Sequence, residues 1–232
     1  MDAAPTSSFS VARSPWSSGP YWRRRIGRHG LLAVVSLGGL VAMAGALGIR
    51  DGRTRVSMAS AYVGLGLLAI TLLLGPIDVL RGRRSPTSTD LRRDVGIWAG
   101  LIGLLHLVVG LGVHLRGRPW LYFVYPANEA HALPLRHDLF GFANDTGLLG
   151  GLVLVLLLAL SNDWSLRRLG APRWKALQRW NYAGAALVVA HGIGFQVIEK
   201  RKLGFVLAFA IIATVTLAAQ LAGFRRHRAG ER

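Results

Sequence analysis

The stretch D-V-G-I-W-A-G-L-I-G-L-L-H-L-V-V-G-L-G-V-H-L (residues 94–115) decides the fold class. After Asp94 it carries no formal charge, and its only other polar side chains are His106, His114 and the Trp98 indole. Its 22 residues, wound as a helix, span about 33 Å, close to the roughly 30 Å hydrocarbon core of a bilayer. Inside a bilayer the backbone must satisfy its own hydrogen bonds, which a helix does within one segment. The arginine pair Arg92 and Arg93 marks where this segment meets water.

Five further apolar runs surround it, at Leu31–Ile49, Val56–Leu80, Thr146–Ser161, Asn181–Ile198 and Leu203–Phe224. Only 17% of the chain is charged, against about 25% for a soluble domain, and the mean hydropathy is +0.38. These features predict an all-α integral membrane bundle of six helices. The expected layout is a disordered basic N-terminal tail (1–28), a transmembrane domain (29–224) and a basic C-terminal tail (225–232). No cleavable signal peptide is expected before the first run. Pro76 should kink or end the second helix. Residues 162–180 read as a basic loop, and the aromatic connection 116–145 as a surface-lying or re-entrant element.

The formal charge of +17 is concentrated at the ends of apolar runs, which points to lipid and to orientation in a bilayer, with no nucleic acid as partner. If the six runs all cross, 19 of the 28 Lys and Arg lie on the side of the termini and 9 on the other. Both termini are therefore expected in the cytoplasm. The turn containing Lys200, Arg201 and Lys202 runs against that bias. The absence of cysteine excludes disulfides, thiolate metal sites and covalently attached c-type heme.

His106 and His191 each lie 12 residues past the last charge on the terminal side, Asp94 and Arg179 respectively. At about 1.5 Å per residue both imidazoles sit about 18 Å into the membrane, on helices running the same way. Two such imidazoles can reach both faces of one porphyrin, and bis-histidine ligation suits electron transfer because no iron position stays open. Gly103, Gly110, Gly184 and Gly194 lie on the histidines' faces and could admit a flat ligand or merely close helix packing. The bland alternative for each histidine is a buried imidazole bonded to a backbone carbonyl. A histidine-dependent transporter or proton-conducting protein without heme is the competing function, and a cofactor-free structural partner the third.

The run R-R-D-V-G-I-W-A-G-L-I-G-L-L-H (92–106) resembles the corresponding helix of the ferric reductase-like transmembrane domain family. So do L-A-L-S-N-D-W-S-L-R-R-L-G-A-P-R-W-K-A-L-Q-R-W-N-Y (158–182) with A-H (190–191), and L-L-L-G-P-I (72–77). Within that family the match is to the heme-binding membrane subunit of bacterial methionine-sulfoxide reductase systems. The resemblance implies that His106 and His191 ligate a b-type heme. It also implies that electrons pass across the bacterial inner membrane from a quinol or a cytosolic flavin reductase toward a periplasmic redox protein, with quinone a further possible ligand. Such a chain is the redox subunit of an oxidoreductase system. The family carries another histidine where this chain has Gln178, and often one in the second helix, where this chain has M-A-S-A-Y (58–62). One heme per chain is therefore expected.

Arg92 matches a family arginine at the inner site, where it would pair with heme propionates or a quinol head group. His29 is expected to be solvated in the basic collar. His114 is expected at the interface, or as a ligand together with His131 or His137. Residues 136–145 carry polar groups fit for quinol or partner contact, or else mark a helix start, with Asn144 or Asp145 capping the fourth helix.

Overall fold

The computed structural model describes residues 19–82 and 86–229. It contains seven helices: α1 (Gly19–Ala46), α2 (Gly52–Leu80), α3 (Pro86–Gly110), α4 (Leu139–Leu160), α5 (Asp163–Gln178), α6 (Trp180–Ile198) and α7 (Leu203–Ala229). Six segments are long and apolar enough to cross a membrane, with α5 and α6 forming one of them. The chain is a multi-pass membrane protein. Its outward faces carry aliphatic side chains such as Val41 and Val108, 75% and 70% exposed, as a lipid-facing surface requires.

Antiparallel α2 and α3 form one pair and α4 and α6 another, joined where α3 meets α4. Helix α1 packs on α2 and α3, and α7 on α2 and α6. Lipid tails are as apolar as leucine, so close approach through small residues must hold such a bundle together. At the α3–α4 seam Gly100 and Gly103 receive Leu158 and Leu154, and Gly151 receives Leu107 in return. Leu67 of α2 packs with Val95, Ala99 and Ile102 of α3 in the most enclosed apolar cluster between that pair.

Several elements differ from the sequence reading. Residues 19–28, expected in a disordered tail, open α1, and residues 1–18 lie outside the described part. The collar is ordered by Asp94, which is fully buried and sits 3.3 Å from Arg25 Nε and 2.9 Å from Arg28 Nη2. Helix α7 likewise continues through residues 225–229 of the expected tail. The loop 162–180 is helix α5, capped by Asn162, whose side chain accepts from Ser165 N at 2.8 Å. Its Gly170 has φ 72°, a left-handed conformation suited to glycine, and splits it into two short helical arms.

Pro76 does not end α2, which runs on to Leu80. The missing proline N–H orphans the carbonyl four residues earlier, at Leu72. Gln220 of α7 donates its side-chain amide to that carbonyl at 2.7 Å, while Gly223 lets α7 press against the proline ring. Helix α4 begins at Leu139, taking in the whole F-G-F-A-N-D segment (140–145) ahead of the apolar run, and is capped by Asp138 rather than by Asn144 or Asp145. The Asp138 carboxylate accepts from Gly141 N at 2.7 Å and pairs with Arg136 Nη1 at 2.6 Å. Residues 115–117 and 119–122 form two 3-10 turns, and Val124 bridges Leu135 across the remaining connection.

Candidate functional site

The bundle has a terminal end, carrying the collar and α5, and a loop end, carrying residues 111–138 and the 199–202 turn. The two histidines meet toward the loop end. The ring centroids of His106 on α3 and His191 on α6 are 5.9 Å apart with planes inclined at 72°. His106 Nδ1 lies 2.9 Å from the carbonyl oxygen of Ser57, and His191 Nδ1 lies 2.7 Å from that of Ala143. A carbonyl only accepts, so Nδ1 must carry the proton on both rings. Each Nε2 is then the lone-pair nitrogen, free to bind a metal. Two imidazoles on opposite sides of one ion, with bonds of about 2.0 Å, have centroids roughly 6 Å apart. The observed spacing fits.

Helices α3 and α6 face one another across a cavity bounded by α2 and α4 as well. Its walls are mostly apolar, from Leu65 and Leu68 to Leu107, Leu154 and Val188. Gly147 of α4 is what admits His191: a Cβ there would collide with the imidazole at Nδ1 and Cε1. Of the glycines singled out in sequence, Gly110 borders Ser57 and His106, and Gly103 lines the cavity. Gly184 and Gly194 instead receive Val153 and Ala143, so they serve helix packing.

A polar rim closes the loop end. Tyr122 is 2% exposed, and its hydroxyl donates to Gly110 O at 3.0 Å and accepts from His114 N at 2.8 Å, capping α3. Desolvation holds this phenol above its ordinary pKa, so it keeps the proton it donates. His114 Nε2 lies 3.0 Å from Glu199 Oε1, and its ring stacks on Phe195. Phe195 in turn lies against His191, with centroids 4.9 Å apart. His114 therefore partners Glu199, while His131 stacks on Tyr125 and pairs with Glu129 at 3.1 Å. Among the described residues no three potential metal ligands of the His, Asp and Glu type converge.

The structure does not bring Arg92 to the histidines. It lies 14 residues before His106 on α3, about 21 Å along the axis, beside Gly75. His29 is not solvated as expected. Trp98 Nε1 donates to its Nδ1 at 3.2 Å, which leaves a protonated Nε2 3.3 Å from Asp94. Arg93 pairs with Asp163 at 2.6 Å and also donates to Ser161 O. Sequence reasoning missed Ser57, Ala143 and Gly147. The first two act through backbone carbonyls and leave no trace in residue type. The glycine spacing 147–151 on one face of α4 was a readable signal.

The match to known proteins covers the same helices. The model of the family described as ferric reductase like transmembrane component matches residues 60–190, from within α2 to the residue before His191. Relatives include the protein-methionine-sulfoxide reductase heme-binding subunit MsrQ of Yersinia pseudotuberculosis serotype O:1b (strain IP 31758) and that of Yersinia pestis (strain Pestoides F). Each is 29% identical over 162 residues, covering 69% of this chain and 68% of the relative. With more than half its length matched, this chain belongs to the ferric reductase like transmembrane component family.

Proposed function

We propose that His106 and His191 hold one heme b between α3 and α6, and that the chain is the membrane electron-transfer subunit of an oxidoreductase system. One observation carries this: both imidazoles have Nδ1 committed to a backbone carbonyl at a ring spacing that suits a shared ion. Two nitrogens are too few to close a tetrahedral metal site, whereas a macrocycle supplies four of its own. Bound there, heme contributes a one-electron iron couple with no open position for substrate. Ser57 and Ala143 fix the two ring planes, Gly147 leaves room for His191, and the leucine-rich walls exclude water. The fixed tautomers argue against a proton relay, because a relay needs each ring to exchange protons at both nitrogens.

The relatives' name as heme-binding subunits of a methionine-sulfoxide reductase supports the same reading. Electrons would enter from a quinol or a cytosolic flavin reductase at the terminal end, placed in the cytoplasm by its excess of Lys and Arg. They would leave toward a periplasmic redox protein at the loop end of a chain seated in a bacterial inner membrane. Arg92, at the terminal end, then serves donor docking or membrane orientation and takes no part in holding this heme.

The test is optical. Purified protein from heme-replete cells should show a six-coordinate low-spin heme b spectrum, and His106→Ala or His191→Ala should abolish or convert it. Colourless wild-type protein would sink the proposal. A pyridine hemochrome ratio near two would refute the single heme. A reporter fused after Arg232 should be cytoplasmic and one inserted at Asn128 external.

A further inference from the structure

We propose that Arg201 anchors the carboxylates of the cofactor, fixing which edge of the heme faces the loop end. This rests on the heme reading above. The argument starts from the turn that follows α6. Lys200 N donates to Val197 O and Arg201 N donates to Gln196 O, both at 3.2 Å, with Lys200 at φ 45°. This paired closure is a helix C-terminal motif whose left-handed position normally falls to glycine. A lysine held there keeps a strained turn that folds the next residue back over the helix end.

Lys200 and Lys202 are exposed, whereas the Arg201 side chain is only 21% exposed and lines the same cavity as the two histidines. Among the described residues lining that cavity, Arg201 is the sole guanidinium or ammonium. Its compensation is poor. Nη1 donates to the thioether of Met58 at 2.6 Å, and a thioether is a weak acceptor. The nearest carboxylate oxygen, on Glu199, is 4.0 Å away, and the other Glu199 oxygen is engaged by His114. A half-buried cation left this way favours an anion. Met58 directly follows Ser57, whose carbonyl holds His106, so the cation stands against the segment that positions one ligand. The Glu199 carboxylate lines the same rim but is turned to His114, so Arg201 is the lining group left to meet the anionic edge of a flat apolar ligand. This also explains a basic residue on the side of the bundle where basic residues are sparse.

The test uses the full chain produced in heme-deficient cells and titrated separately with protoheme and its dimethyl ester. A charge-assisted pair at the rim predicts that wild type prefers the free acid by about tenfold or more. Arg201→Met should lose that preference while giving a six-coordinate low-spin spectrum with either compound, and Arg201→Lys should keep part of it. The reduction potential should fall in Arg201→Met loaded with protoheme, because loss of the cation and an unpaired carboxylate both stabilise ferric iron. Equal affinity of wild type for acid and ester would overturn the anchor even if no variant folds. So would an undiminished preference in Arg201→Met. Wild type that binds neither compound would instead remove the heme reading itself, and the anchor with it.

Discussion

The two ends of this bundle handle buried polar groups in opposite ways. At the terminal end, Asp94 is fully buried, and Arg25, Arg28 and His29 converge on it from α1, while Arg93 reaches Asp163 on α5. The partners are supplied by the chain itself, and the cluster ties α1, α3 and α5 together. Toward the loop end, the chain commits one nitrogen of each histidine to its own backbone and leaves the other facing a cavity. A closed cluster fixes structure, because its arginines and carboxylates already face one another. An open one leaves binding capacity. Depth in the membrane alone does not distinguish the two.

The comparison breaks if the closed cluster turns out to govern cofactor binding. Asp94→Leu should cost the most, about 3–5 kcal/mol, because it strands buried arginines. Thermal aggregation in detergent should shift strongly, and the protein that remains folded should keep the wild-type heme spectrum. Loss of heme at unchanged thermal stability would reverse the assignment of roles. Gly147→Ala acts on the open cluster. Its Cβ must displace the His191 ring, so the spectrum should lose its low-spin six-coordinate character, with an overpacking cost of about 1–3 kcal/mol. A wild-type spectrum in this variant would mean that α4 does not shape the pocket.

Smaller effects sharpen the picture. Gln220→Leu leaves the Leu72 carbonyl without its side-chain donor and should lower stability by about 1–2 kcal/mol without touching the spectrum. An unchanged unfolding midpoint would show that the proline site satisfies itself. Lys200→Gly relieves a left-handed lysine and should raise stability by about 0.5–1 kcal/mol, read as a small rise in the same midpoint.

Six spans were legible because long apolar runs leave few alternatives, and both histidines stood out because a polar group at that depth is costly. What was misread shares one cause. Residues 19–28 and helix α5 are polar, so hydropathy cannot tell them from loops, and their order comes from ion pairs with distant partners. Asp94 lies 65 residues from His29 in sequence, which is why that histidine read as solvated. Pro76 was read from local rules, while the donor that rescues it arrives from a helix almost 150 residues later. At the histidines the ring partners are carbonyls, which any residue type could supply.

The bond between Gln220 and Leu72 sets an order of assembly. The chain emerges N-terminus first, so the Leu72 carbonyl of α2 lacks its Gln220 donor until α7 is made. An unsatisfied backbone group in hydrocarbon costs several kcal/mol. Helix α7 also brings Phe209 to the bare backbone of Gly192, one residue from His191. A chain stopped before residue 209 would therefore carry both histidines and every span of the matched family segment, yet leave the Leu72 carbonyl of α2 without its donor and the cavity without Phe209. Closure of this cavity therefore waits for α7.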